Sequence, residues 1–269
     1  MLDAHCHLDD SRLALTVGAE LERARTLGIH GFVVAGVNPA GWIRQEALGA
    51  SCPDVFNCFG LHPWWVSAAS AEEVDRGVEE LRAGFATGRF GGAVAIGEMG
   101  LDWFREPHGP GRDRQKEVFR AQLAIAREYN QPVVLHVVRA HAEALELIRK
   151  EGLPEAGGMV HSFHSSAEMA SAWVDAGVHV SLSASSMRRG RRLKSAIQSI
   201  PEEWILLETD CPDQALGGGD STLHGPATLV RIRDLVAEVR GCEAGALGRA
   251  AERNARRLFR LDTRPRRMG

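Results

Sequence analysis

The sequence contains no long apolar run and few cysteines. No stretch approaches the roughly 18 consecutive apolar residues that a membrane span needs, and the first residues include neither a basic flank nor an apolar signal core. The five cysteines are an odd number without a CxxC pair, which is typical of free thiols in a reducing compartment. We therefore expect a cytoplasmic protein with no membrane partner.

Three catalytic signatures are also missing. No GxSxG turn is present, which excludes the nucleophile elbow of serine hydrolases. No GxGxxG turn follows the first strand pattern, so we expect no organic cofactor. The only three lysines, Lys116, Lys150 and Lys194, fall in patterns typical of helices or loops. A carbamylated lysine at a strand end, which bridges the ions of many two-metal barrels, is therefore not expected.

The composition is that of an ordinary globular protein. The 269 residues are 44% hydrophobic and 25% charged, and 32 basic against 35 acidic residues give a formal net charge of -3. This balance excludes a histone-like polycation but allows a local basic patch, such as the five positive charges between Arg188 and Lys194. That segment is either a solvated surface or a phosphate-binding patch.

Eight short, mostly apolar and β-branched runs recur along the chain. Continuous apolar runs are typical of strands covered on both faces of a parallel sheet, and helical spacing occupies the stretches between them. The strand ends are about 29 residues apart on average, which is one βα unit. We therefore predict a single domain over residues 1–269, an α/β fold of the (β/α)8 TIM-barrel type, in preference to an open doubly wound sheet. The predicted strands are Leu2–His7, Gly31–Val37, Val55–His62, Ala93–Glu98, Val133–Val138, Met159–Phe163, Val178–Ser183 and Trp204–Asp210.

Histidines and carboxylates fall at the predicted C-terminal ends of these strands, where barrel enzymes place their chemistry. Residues two apart on a strand point to the same side, so the histidine pair that ends the first strand can face one ion. Four imidazoles and two carboxylates are too many for one tetrahedral zinc and suit two divalent ions, with Glu98 as the bridging carboxylate. The six candidate ligands are His5, His7, Glu98, His136, His161 and Asp210.

Each candidate ligand also has a structural explanation. A single histidine in an apolar strand is often a hydrogen-bonded core residue, and a carboxylate at a strand end can cap a helix. That explanation has to hold independently at all six positions, whereas one metal centre accounts for all of them.

Four aromatic residues near the expected barrel mouth have two possible roles, as a hydrophobic lid or as a platform that stacks unpaired bases. These are Trp64, Trp65, Trp103 and Phe104.

Seven short stretches carry a further indication. They are Asp3–Asp9, Gly60–Pro63, Gly97–Asp102, Pro132–His136, His161–Phe163, Glu208–Pro212 and Asn254–Phe259. In this order, from end to end of the chain, they resemble the TatD family of metal-dependent hydrolases. The resemblance implies an amidohydrolase-like barrel and the activity of a magnesium-dependent deoxyribonuclease with 3′-5′ exonuclease action. It also implies that His5, His7, Glu98 and Asp210 hold one ion, and that Glu98, His136 and His161 hold the other.

The sequence departs from the family's pattern around the expected substrate. The arginine that family members commonly have two positions after the fifth-strand histidine is replaced by Val138, with Arg139 next. The sixth-strand motif continues with His164 instead of Thr-Gly-Ser, and the Asn-x-Pro motif is replaced by one that begins at His224. We expect these changes to alter the substrate contacts, which we assign to His62, Arg139, His164 and His224.

The ligand pattern and the resemblance together predict a metal-dependent hydrolase, a phosphodiesterase with DNA as its substrate. Two divalent ions (Mg, Mn or Zn) about 3.5–4 Å apart would lower the pKa of a shared water and orient it for attack. Asp210 is the expected general base and Glu98 the second catalytic residue, while Glu208 points inward as a structural partner.

Two alternatives stay open. The same cage could hydrolyse an amide or ester in a small or aminoacyl substrate. A silent barrel could act as a scaffold, and it would then bind no metal. A monomer is compatible with the sequence.

Overall fold

Eight parallel strands form one sheet in chain order. A computed structural model describes residues 1–106, 108–187, 191–216 and 224–263, except for the side chains of residues 191 and 192. Each strand pairs with the next one along the chain. The strands are β1 (Asp3–Cys6), β2 (Phe32–Val34), β3 (Val55–Phe59), β4 (Ala95–Asp102), β5 (Val133–Val138), β6 (Gly158–Val160), β7 (Val178–Leu182) and β8 (Ile205–Leu207).

Hydrogen bonds between the two ends of the sheet close it into a barrel. The N–H of Asp210 donates to the carbonyl of His5 at 3.0 Å, and the N–H of His7 donates to the carbonyl of Cys211 at 2.7 Å. The buried carboxylate of Asp3 accepts both the N–H of Thr209, at 2.9 Å, and its hydroxyl, at 2.5 Å. The predicted (β/α)8 barrel is confirmed.

Helices surround the barrel and connect its strands. The predicted apolar stripes face inward, with Leu21, Ile125 and Val236 all buried. The closing helix predicted for Ala244–Phe259 is also confirmed, one residue shorter. The α-helices of the described residues are α1 (Val17–Thr26), α2 (Pro39–Ser51), α3 (Pro63–Ala68), α4 (Ala71–Ala86), α5 (Pro110–Glu128), α6 (His141–Glu151), α7 (Ala167–Asp175), α8 (Arg191–Ser199), α9 (Leu229–Arg240) and α10 (Ala244–Leu258). Short 3-10 turns occupy Ser11–Leu13, Ser185–Met187, Glu202–Trp204, Pro226–Thr228 and Leu261–Thr263.

The barrel interior has an apolar layer beneath a polar one. Val134, Met159 and Leu206, on three different strands, belong to one buried cluster that α10 also contacts. Residues two apart on a strand share a face, so the next inward position on two of these strands is a histidine, His136 or His161. The apolar layer thus supports the polar residues from below, as in the packed interior of other barrels.

The fourth strand differs from its prediction. β4 continues to Asp102, so the expectation that Glu98 ends this strand is wrong. Gly100 pairs with His136 of β5, and a Cβ atom at Gly100 would overlap the carbonyl oxygen of His136. Glycine therefore extends the pairing here instead of ending it, because it lets the two backbones approach. His7 and His161 lie directly after their strands, and Asp210 lies three residues beyond β8.

The structure describes the predicted lysine positions fully and the predicted basic segments only in part. All three lysines lie in helices, as expected. Residues 188–190 of the predicted basic segment, the side chains of Arg191 and Arg192, and the tail residues Arg264, Arg266 and Arg267 lie outside the described residues. Within the described ranges, no helix is long and apolar enough to cross a lipid bilayer.

One half-buried histidine, His141, makes the stability of the fold sensitive to acid. The indole N–H of Trp173 donates to Nδ1 of His141 at 3.1 Å, and burial lowers the pKa of His141 to about 4. The unfolded chain therefore takes up a proton at this residue near pH 6.5, whereas the folded chain does not. The contribution of His141 to the free energy of unfolding is therefore fully present above that pH and decreases as the pH falls. The slope approaches about 1.4 kcal/mol per pH unit, so the loss between pH 6.5 and 5 is about 2 kcal/mol.

The substitution His141→Gln tests this prediction. A glutamine carbonyl can still accept the Trp173 N–H but does not titrate. We expect urea unfolding at pH 7 and pH 5 to show a smaller loss of unfolding free energy in the variant than in the parent chain. Equal losses in the two proteins would exclude His141 as the source.

Candidate metal centre

Four donor atoms, from β4 and from the ends of β1 and β8, lie close together at the barrel mouth. Nε2 of His5 lies 3.4 Å from Oε2 of Glu98 and 3.3 Å from Oδ1 of Asp210. Nε2 of His7 lies 3.3 and 3.4 Å from the same two oxygens, and 3.3 Å from Nε2 of His5. These five distances are short enough for the imidazole and carboxylate groups to share one cation, and His5, His7 and Asp210 together form a group that could hold a metal ion.

The other oxygen of Glu98 belongs to a second donor group. Oε1 of Glu98 lies 2.6 Å from Nδ1 of His136 and 2.8 Å from Nε2 of His161, and these two nitrogens are 3.0 Å apart. Nε2 of His62 lies beside this group, at 3.1 Å from Oε1 of Glu98 and 3.2 Å from Nδ1 of His136. The structure therefore brings together all six candidate ligands, and Glu98 presents one oxygen to each group.

Burial makes this arrangement costly without a cation. Glu98 is 1% exposed and His5 is fully buried, while Oε2 of Glu98 has no hydrogen-bond donor among the described residues. In typical proteins, a buried polar atom without a hydrogen-bond donor lowers the free energy of unfolding by about 1–3 kcal/mol, and a charged one by more. Imidazole nitrogens and carboxylate oxygens that converge in this way fit divalent cations such as zinc or manganese.

The electrostatics of the centre point the same way. Burial by itself would raise the pKa values of Glu98 and Asp210. Neighbouring imidazoles hold both pKa values below the usual range: His161 does so for Glu98, and His5 and His7 do so for Asp210. Burial would lower the pKa values of His7 and His161, yet the carboxylates raise them well above normal. Divalent cations can replace the protons that these imidazoles otherwise retain.

Two further carboxylates orient the histidines of the second group. Oδ2 of Asp102, the last residue of β4, lies 3.1 Å from Nε2 of His136 and accepts the indole N–H of Trp64 at 2.5 Å. Oε1 of Glu208 lies 3.4 Å from Nδ1 of His161, which confirms the inward direction predicted for Glu208. Such outer carboxylates fix the ring orientation of metal-binding histidines. No sequence pattern indicated a role for Asp102, although it ends one of the seven stretches that resemble the family.

The backbone turns sharply where three strands reach the mouth. Arg139, Ser162 and Asp210 have φ values of 57°, 47° and 56°, in the left-handed region that non-glycine residues seldom adopt. Each follows β5, β6 or β8 by no more than three residues. Strained residues of this kind cluster at functional sites, where the surrounding structure maintains them.

A glutamine that no sequence motif indicated contacts Asp210. Nε2 of Gln214 donates to Oδ2 of Asp210, and Oε1 of Gln214 accepts the hydroxyls of Ser162, at 2.9 Å, and Ser183, at 2.8 Å. The hydroxyl of Ser185 lies within 2.7–2.9 Å of both other serine hydroxyls. This network links the loops after β6, β7 and β8 and holds the carboxylate of Asp210 in one orientation.

The four residues predicted to contact substrate occupy different places. His62 reaches the second donor group. Arg139 is exposed, with its guanidinium 4.7 Å from the ring centroid of Phe104, and His164 is exposed four residues beyond β6. Both ring nitrogens of His224 are engaged within its own loop, by the Thr228 hydroxyl at 2.7 Å and by the carbonyl of Asp213.

A cleft of about 610 Å³ opens above the centre. Glu98, His136, His161 and Asp210 line its floor, and Trp64 and Phe104 line its wall. A smaller groove of about 290 Å³ adjoins it and shares His7, Arg12, His62, Trp64 and Asp213. The donor groups are therefore accessible from a cleft whose volume lies in the range of ordinary ligand-binding pockets.

Comparison with known proteins agrees with this geometry. A family model described as TatD related DNase matches residues 2–260. The chain is 29% identical over 266 residues to the uncharacterized metal-dependent hydrolase YabD of Bacillus subtilis, covering 97% of this chain and 100% of that one. It is 30% identical over 272 residues to the 3′-5′ ssDNA/RNA exonuclease TatD of Edwardsiella piscicida, covering 97% and 100%. The crystal structure of YjjV, a TatD homolog from Escherichia coli K12, superposes with a TM-score of 0.88 at 28% identity, covering 97% and 98%.

The shared position of Glu98 leads to a prediction about metal content. Glu98→Gln removes the negative charge that both donor groups use while keeping the side-chain size. We expect the parent chain to retain two divalent ions per chain after equilibrium dialysis against zinc or manganese, and the variant to retain fewer than one. Elemental analysis measures this directly, with exposed Glu72→Gln as the matched control. Two ions in Glu98→Gln would rule out the bridging role.

Asp102 leads to a separate prediction about affinity. Asp102→Asn weakens the support of His136 without removing a donor atom from either group. Outer carboxylates of this kind typically contribute 10- to 100-fold, so we expect metal affinity to fall by roughly that factor. Competition with a metal-binding dye measures the affinity, and an unchanged value would show that Asp102 does not orient His136.

Proposed function

The chain belongs to the TatD related DNase family of metal-dependent hydrolases, and from this premise we propose that it is a phosphodiesterase that degrades DNA from its 3′ end. The family resemblance predicted from the sequence is confirmed by the match over residues 2–260. One observation carries the proposal. The two oxygens of Glu98 face two separate donor groups beneath an open cleft. The exonuclease name of a relative that is 30% identical supports the choice of substrate.

We assign two cations, magnesium, manganese or zinc, to the two donor groups. His5, His7, Glu98 and Asp210 would hold one, and Glu98, His136 and His161 the other. Cations held in this way lower the pKa of a water molecule and offset the negative charge that develops on a phosphoryl group.

We assign Asp210 as the general base. Its Oδ1 faces the imidazoles of His5 and His7, and its Oδ2 accepts the amide of Gln214. A carboxylate oxygen has two lone pairs, so Oδ2 keeps one for the proton of the attacking water. Gln214 prevents the carboxylate from rotating, and we assign it a positioning role.

His62 acts as a hydrogen-bond donor in this mechanism. Its Nδ1 accepts the backbone N–H of Trp64 at 3.0 Å, and burial lowers its pKa to about 4. A neutral imidazole carries one proton, so that proton lies on Nε2, which faces Oε1 of Glu98 at 3.1 Å. A nitrogen that carries a proton cannot bind a metal. We therefore assign His62 to donate a hydrogen bond to Glu98 or to a phosphoryl oxygen, in keeping with its predicted contact with substrate.

Degradation of a 5′-labelled single-stranded oligonucleotide tests the proposal. With magnesium, manganese or zinc, we expect a ladder of products that shorten one nucleotide at a time from the 3′ end. Glu98→Ala and Asp210→Asn should each lower the rate by about 100-fold or more, because bridging and proton transfer are lost. Glu72→Gln, at an exposed position of α4, should not change it.

Three other outcomes would contradict the proposal. Degradation that persists in Glu98→Ala comes from a contaminating nuclease. Hydrolysis of aminoacyl or carboxylic esters, with intact DNA and dependence on Glu98, would establish the alternative activity on a small or aminoacyl substrate. A purified chain that retains no metal would support the scaffold alternative.

A further inference from the structure

Two exposed aromatic rings form part of the cleft wall. The side chains of Trp64, in α3, and Phe104, after β4, are 45% and 60% exposed. Among the described residues, they are the only exposed large aromatic side chains, and both line the cleft together with Glu98 and His136. Trp65 and Trp103 are half-buried against the core instead. The exposed aromatic surface is therefore concentrated beside the metal centre.

Each of these rings packs against an arginine. Cζ of Arg105 lies 4.4 Å from the ring centroid of Trp64, and Cζ of Arg139 lies 4.7 Å from that of Phe104. Both arginines are exposed, and in the part of the chain that is described neither forms an ion pair with a carboxylate. A guanidinium that stacks on a ring keeps its N–H groups available for phosphate oxygens. We call these four residues the aromatic–arginine rim.

The rim begins one side chain away from the second donor group. The indole N–H of Trp64 donates to Asp102, whose same oxygen lies 3.1 Å from His136. The other oxygen of Asp102 accepts the backbone N–H groups of Phe104 and Arg105, each at 2.9 Å. The carboxylate that orients His136 therefore also positions the rim, so a ligand on the rim lies next to the donor groups.

We propose that the aromatic–arginine rim binds an unpaired nucleotide of a single-stranded nucleic acid, adjacent to the phosphodiester that is cleaved. This inference rests on the proposed phosphodiesterase function. Bases stack on aromatic rings and on guanidinium planes regardless of their sequence, and arginine N–H groups bind the phosphates between them. In a duplex both faces of every base inside the helix are covered by its neighbours, and only the end pairs expose one face, so we expect the rim to bind single strands more tightly than blunt duplexes.

The substitution Phe104→Ala is the sharpest test of the stacking surface. The Phe104 ring packs against Arg139, whereas the indole N–H of Trp64 donates to Asp102, which contacts His136. The matched control is Leu27→Ala, which removes another exposed apolar side chain, at the end of α1. Binding is measured with the metal-loaded protein, by fluorescence anisotropy of a labelled oligothymidylate that carries phosphorothioate linkages to slow cleavage. A blunt duplex of mixed sequence and bis(p-nitrophenyl) phosphate, a phosphodiester without a base, complete the set of probes.

We expect Phe104→Ala to raise the Kd for the single strand at least about fivefold, as loss of one base–aromatic stack does elsewhere. The KM for single-stranded DNA should rise in parallel, whereas Leu27→Ala should change neither the Kd nor the KM. Arg139→Gln should weaken binding and reduce the dependence of log Kd on log salt by about 0.7, the loss of one phosphate contact.

Three results would overturn the proposal. The first is a Kd in Phe104→Ala that changes no more than in Leu27→Ala. The second is equal affinity of the parent chain for the single strand and the duplex. The third is no binding of the single strand at all. Failure of the phosphodiesterase function is distinguishable, since the parent chain would then hydrolyse neither DNA nor bis(p-nitrophenyl) phosphate, whatever it binds.

Discussion

The closure of the barrel between β8 and β1 is the constraint on which the site depends. Two backbone hydrogen bonds, from Asp210 to His5 and from His7 to Cys211, join segments about two hundred residues apart in the chain. The residues that make this closure also carry the first donor group. Their side-chain atoms come to lie 3.3–3.4 Å apart because their backbones are already paired. Asp3, bonded to Thr209 by two hydrogen bonds, reinforces the same junction one layer below.

The polar layer can exist only because the rest of the interior supports it. Buried charges are costly unless each has a partner, and removing one partner is worse than removing both. Here Glu98 and Asp210 are surrounded by imidazoles, and the layer beneath is filled by Val134, Met159 and Leu206. The apolar layer excludes water from below, so the donors open only towards the cleft. Cations can therefore reach them only from the side where the substrate also enters.

A second set of residues fixes the orientation of the metal-binding side chains. Asp102 and Glu208 orient two of the imidazoles, and Gln214 holds the carboxylate of Asp210. Asp102 also accepts hydrogen bonds from Trp64 and from the backbone of Phe104, so ligand orientation and the cleft wall share one carboxylate. A substitution of Trp64, whose side chain bonds to Asp102, is thus expected to alter the orientation of His136. A substitution of the Phe104 ring is not, because Phe104 bonds to Asp102 through its backbone.

The sequence by itself determined the strand pattern and the six candidate ligands, because apolar runs and strand-end residues are local features. It also excluded a bridging lysine, since all three lysines fall in helices. It could not determine that β4 continues past Glu98, because that extension depends on the close approach of β5 at Gly100. Tertiary structure alone brought Gln214 to Asp210 and decided which aromatic residues, Trp64 and Phe104, line the cleft. Such contacts depend on how loops from different strands meet once the barrel has closed, and no local pattern in the chain records that.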